Sequence, residues 1–129
     1  MPDVKVITLP WPDEDIRSNS RANRVVKTRK VKSARNYAWA VAMEAPRIQK
    51  MPDATIFVEY YPKAYREDIH NVPFGLKAYI DGIADAMGCD DKRFTVDYPS
   101  VWAGRSNPGK VVFRVVPPVV EVPVIGEIS

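Results

Sequence analysis

The sequence predicts an α+β domain of two layers, two helices packed on a mixed β-sheet, with elements in the order β-α-β-α-β-β. Two apolar stripes recur at three- and four-residue steps, as helix faces do. Four other stretches are short, alternating or rich in β-branched and aromatic residues, as strands are. The chain has 129 residues, which suits one compact domain. Helices laid over one sheet are the layer arrangement that buries both kinds of apolar face.

Val4 to Leu9 alternates and reads as a strand, ended by Pro10 and Pro12 with Trp11 between them. Asp13 to Asn23 is polar and reads as a loop. From about Lys27 to Ala45 a helix follows, with Ala34, Tyr37, Ala38, Val41, Ala42 and Ala45 on its apolar side and Pro46 as its stop. Thr55 to Tyr61 is a strand, and Pro62 to His70 is a polar connection. The second helix is expected from about Val72 to Met87, capped by Asn71, with Pro73 in its first turn and Gly88 after its end. Its stripe is Leu76, Tyr79, Ile80, Ile83 and Met87. Phe94 to Trp102 is extended, and Ser106-Asn107-Pro108-Gly109 marks a turn. Lys110 to Val116 alternates, with Val111, Phe113 and Val115 opposite Lys110 and Arg114, and is expected to form a hairpin with the extended stretch before it. The domain is thus placed at residues 1–116, followed by an extended Val/Pro-rich tail at 117–129.

Composition narrows the function. An apolar fraction of 46% is ordinary for a folded protein. Cys89 is the sole cysteine, so an internal disulfide and a paired-cysteine metal knuckle are both excluded. Apolar runs fall short of a membrane span and no signal-peptide pattern opens the chain, so a reduced, cytoplasmic protein without membrane attachment is expected. The net charge of +3 is unevenly spread. Arg17, Arg21, Arg24, Lys27, Arg29, Lys30, Lys32 and Arg35 follow one another with no acid among them, whereas Glu67, Asp68, Asp81, Asp85, Asp90, Asp91 and Asp97 cluster later. This pattern suits polyanion binding beside a divalent-cation site; the same pattern is also produced by a solvated helix face and an unrelated acidic surface.

The segment Asp68-Ile69-His70-Asn71, then Lys77, Asp81 and Asp90-Asp91, carries the chemistry. If residues 68–70 are extended, the Asp68 and His70 side chains point the same way and share one cation. The loop after Gly88 returns a further carboxylate. Three ligands with open positions suit a divalent metal in phosphodiester hydrolysis, where it activates water and balances phosphate charge. Lys77 then reaches the scissile phosphate or the leaving oxygen. Simpler roles also exist. Asp68 and Asn71 are natural helix caps, Lys77 and Asp81 are spaced as a surface ion pair worth ~0.3 kcal/mol, and Asp90-Asp91 is a common turn dipeptide. No phosphate-binding loop, zinc-finger spacing, nucleophile elbow or dinucleotide fingerprint is present in the sequence.

Leu9-Pro10-Trp11-Pro12 after a first strand, Ser18-Asn19-Ser20-Arg21, the basic helix behind them, and the ordered series Asp68-Ile69-His70-Asn71, Lys77, Asp81, Gly82, Gly88, Asp90-Asp91 together resemble the RusA family of Holliday junction resolvases of phage and prophage type. The resemblance runs from about Val4 to Val116. The four residues Val72-Pro73-Phe74-Gly75 ahead of Leu76-Lys77 resemble the longer spacing of phage members. It implies a homodimer that binds four-way DNA junctions in the bacterial host cytoplasm and cuts two opposed strands symmetrically with Mg²⁺ or Mn²⁺. It implies Asp68, His70 and Asp91 as metal ligands and Asp68, His70, Lys77 and Asp91 as the catalytic set. Asn19, Arg21, Arg24, Lys27, Arg29, Lys30 and Asn71 are the implied DNA contacts. His70 departs from the family, which commonly has an Asp there. Imidazole is neutral and softer than carboxylate, so Mg²⁺ binding weakens and Mn²⁺ is favoured. The alternatives are a junction-binding protein with impaired catalysis and a non-enzymatic phage assembly or interaction protein.

Overall fold

The computed structural model describes residues 4–13, 24–44, 53–65, 68–88 and 91–118. Its order is β1 (Lys5–Pro10), α1 (Arg24–Glu44), β2 (Thr55–Tyr61), a 3-10 helix (Ile69–Gly75), α2 (Lys77–Met87), a short 3-10 turn (Asp91–Arg93), β3 (Thr95–Asp97) and β4 (Lys110–Val116). The α+β class and the order β-α-β-α-β-β are therefore as expected. Of the tail, residues 119–129 lie outside the described residues, as do Asn19 and Arg21. Among the described residues no helix is long and apolar enough to cross a membrane.

The sheet order is β1-β4-β2-β3. β4 runs antiparallel to both β1 and β2, and β3 runs parallel to β2. One sheet face carries Ile7, Leu9, Ile56, Val58, Tyr60, Val111, Phe113 and Val115, all buried. Alternation delivers these residues to the same side, where α1 and α2 cover them. From α2 come Tyr79, Ile80, Ile83 and Met87, with Leu76 just before it.

The expected hairpin does not form. Lys110–Val116 is a central strand, paired along its length with β1 and β2, and Thr95–Asp97 lies on the far edge of β2. The reason is the helical crossover: α2 carries the chain back along β2, so the next strand enters parallel. The chain then continues beside β2, with Ala103 N–H donating to the Tyr60 carbonyl at 3.0 Å and Ser106 N–H to that of Pro62 at 3.0 Å. It passes over the end of β2 at Gly109, whose carbonyl accepts from Trp11 N–H at 3.2 Å. A Cβ at Gly109 would lie 3.3 Å from both Lys63 N and Trp11 Cβ, so the crossing is tight.

The expected second helix is likewise divided. Residues 69–75 are 3-10 and the α-helix begins at Lys77. Pro73 supplies no N–H for an α-helical bond and fits the short i→i+3 pattern instead, closed by Leu76 N–H donating to the Pro73 carbonyl at 3.1 Å. Asp68, rather than Asn71, is the cap. Gly88 ends α2 at φ 69°, a left-handed conformation that glycine adopts without strain.

Candidate functional site

Asp68 stands at the entrance of the 3-10 helix in an extended conformation, φ −71° and ψ 116°. Its Oδ1 accepts from the His70 main-chain N–H at 3.0 Å. The strand alternation expected to aim Asp68 and His70 alike is therefore replaced by a capped turn, because Pro73 and the cap favour helical closure over extension. The carboxylate meets the backbone of His70. Asp68, His70 and Asn71 are all exposed.

Val72, Gly75 and Leu76 are buried and tie the 3-10 helix to the core, which delivers Lys77 to the first position of α2. The Lys77 ammonium donates to Asp81 Oδ1 at 2.9 Å, with side-chain exposures of 65% and 22%. The phenol of Tyr98, just past β3, is pushed up from its usual value by burial, and the positive charge of Lys77 acts on it in the opposite sense. Tyr98 thus belongs to the surroundings of Lys77.

α1 reaches this end of α2 because the helices cross at Gly82. A Cβ at Gly82 would run into the Arg35 carbonyl oxygen and lie 2.8 Å from Ala38 Cβ. One turn on, Arg35 grips Asp85 through two bonds, Nε to Oδ2 at 2.6 Å and Nη2 to Oδ1 at 2.8 Å. Hydrogen bonding from the Arg35 guanidinium holds the Asp85 carboxyl below its ordinary value; burial pulls the other way, and the charge of Arg35 adds to the lowering. These contacts set the first turns of α1 over the start of α2. Lys27 and Val31 of α1, Phe74 and Gly75 of the 3-10 helix, and Lys77, Ala78 and Asp81 of α2 line one pocket of about 280 Å³. Two lysines that the sequence assigned to different tasks, Lys27 to DNA and Lys77 to catalysis, share it.

The other basic residues do not all converge there. Arg24 and Arg29 are exposed on α1. Lys30 lies in a second pocket, also about 280 Å³, with Pro10, Asp13, Ser33, Ala34, Tyr37 and Tyr79. Its ammonium pairs with Asp13 at 3.3 Å. Tyr79 donates to the Pro10 carbonyl at 2.9 Å, and burial first, then the neighbouring Tyr37 and Asp13, push its phenol up to about 12.

The main chain of Asp91 opens the Asp91–Arg93 turn, and Arg93 accepts from Asp53 N–H at 3.0 Å at the entry to β2. The Asp91 side chain lies outside the described residues. Among the described residues, no three His, Cys, Asp or Glu side chains are grouped to hold a metal ion.

Phe74, Val31 and Tyr98 were not anticipated. For Phe74 the signal exists in the sequence. Continuing the α2 stripe backward at 3.6 residues per turn puts Val72 on the apolar face and Phe74 on the opposite one. Val72 is indeed buried and Phe74 is 63% exposed.

No protein-family model matches the chain. A protein of Xylella fastidiosa named only as uncharacterized is 33% identical over 117 residues, covering 87% of this chain and 76% of the relative. The chain belongs to the same family as that protein.

Proposed function

We propose that this chain is a divalent-metal-dependent endodeoxyribonuclease of RusA type, which resolves Holliday junctions or related branched DNA by symmetric phosphodiester hydrolysis. The observation that carries the reading is the shared pocket of Lys27, Lys77 and Asp81 under the acid-free half of α1. Lys27 holds a backbone phosphate. Asp81 steadies the Lys77 ammonium, whose positive charge offsets the charge that grows on a phosphate oxygen. Arg24 and Arg29 extend the grip along α1 without reading bases, so binding is salt-dependent. Two opposed cuts require two copies related by a two-fold axis.

In this reading Asp68, His70 and Asp91 hold the metal. The donor chemistry of the first two, one carboxylate and one imidazole on an exposed turn, fits a divalent cation and suits Mn²⁺ better than Mg²⁺. When bound, such an ion activates water and offsets phosphate charge. The cap that Asp68 forms on the His70 main chain favours a second reading, a junction-binding protein that no longer cuts.

A cleavage assay on a synthetic four-way junction, with Mg²⁺ and separately with Mn²⁺, decides between them. Cutting is expected in Mn²⁺ at least, and Lys77→Ala should abolish it while junction binding persists. Binding without cutting in both metals selects the second reading. Absence of DNA affinity at moderate salt overturns both.

A further inference from the structure

Phe74 is the feature of the pocket that phosphate chemistry leaves unused. Its ring is 63% exposed, yet it stands on a fixed turn. Val72, Gly75 and Leu76 around it are buried, Pro73 restricts the backbone, and Leu76 N–H closes on the Pro73 carbonyl. A single exposed apolar residue on a mobile loop would need no explanation. This one is an aromatic side chain that lines the same pocket as Val31, Lys27 and Lys77. Flat apolar surface beside two cations matches one nucleotide, the base on the ring and the phosphate on the ammonium groups. A paired base inside a duplex cannot offer its face, whereas a base at a branch point can.

We propose that Phe74 is a stacking surface for an unpaired nucleobase at the branch point, with the adjoining phosphate on Lys27 and Lys77. The proposal rests on the nuclease reading and adds to it the feature that separates branched from linear DNA. Selectivity then arises from the ring, and the lysines contribute affinity common to both substrates.

The test measures the full chain on a four-way junction and on a duplex of the same sequence, by gel shift. A second readout is fluorescence of 2-aminopurine placed at the branch point. Phe74→Ala should lower junction affinity roughly 5- to 150-fold, as loss of one base–aromatic stack does, and leave duplex affinity unchanged. The change in 2-aminopurine emission on binding should vanish with it, and Phe74→Trp should restore the junction affinity. Thermal unfolding should be unchanged for Phe74→Ala, since the ring is largely exposed. Intact junction preference in Phe74→Ala overturns the stacking role alone, leaving the nuclease reading in place. Equal loss on junction and duplex also overturns it. Wild-type protein without affinity for either DNA overturns the nuclease reading and this proposal together.

Discussion

The two helices of the outer layer are built in opposite ways. α2 has 11 residues and buries Ala78, Tyr79, Ile80, Gly82, Ile83, Ala84 and Met87. α1 has 21 residues, and among its described side chains only Ala38 and Ala42 are buried. α2 is held by apolar area, so its first turn is fixed relative to the sheet and Lys77 with it. α1 is held mainly at the Gly82 crossing and the Arg35–Asp85 pair, and the rest of its surface is free to carry charge. A helix that presents cations to a ligand need not contribute much to the core, provided a few contacts fix where it lies.

That contrast can be broken most forcefully at Gly82. Helix propensity alone would make Gly82→Ala favourable by about 1 kcal/mol. The clash with the Arg35 backbone outweighs this, since overpacking costs about 1–3 kcal/mol or more and a carbonyl cannot rotate away as a side chain can. A net fall in the urea midpoint is expected; a rise would mean that α1 does not pack as described. Charge on α1 should behave in the reverse manner. Replacing Arg24, Lys27 and Arg29 together by Gln should leave stability within about 0.5 kcal/mol. DNA affinity should fall on all sequences, and the slope of log affinity against log salt should shrink by up to about 3. An unchanged slope would remove these residues from the interface. Asp85→Asn should have the smallest effect, about 0.2–1 kcal/mol, because both partners are exposed to solvent. The Asp85 pKa is lowered in the folded state, so its contribution is present above the ordinary 3.8 and is lost as pH falls through the folded value. Melting curves of wild type and Asp85→Asn should differ at neutral pH and converge in acid below that point; a constant gap would exclude the ion pair as its cause.

The parts readable from sequence were those whose neighbours along the chain carry the information. Alternation in Val4 to Leu9 and Lys110 to Val116 needs only side-chain period, and the stripe from Leu76 to Met87 needs only the helical repeat. Pairing is different. Whether Lys110–Val116 joins the segment before it or inserts between β1 and β2 depends on the crossover made by α2, which no local pattern records. The 3-10 helix escaped because Pro73 suits a first α-turn as well as a 3-10 turn, and the buried Val72 and Gly75 decide between them. At the site, Lys77 and Lys27 were recognisable by residue type. Their common pocket was not, since it depends on the missing side chain at Gly82. The extended backbone expected at residues 68–70 was misread for the same reason as the helix start, the closure of residues 69–75.

The central position of Lys110–Val116 has a consequence for how the molecule comes into being. β1 and β2 have no pairing with each other; β4 bridges them. Until translation has delivered residues 110–116, β1 has no partner and β2 has one edge open. The nascent chain therefore emerges with exposed apolar strands and must wait for nearly its last described segment before the sheet can assemble, a long-range closure that is slow and prone to aggregation.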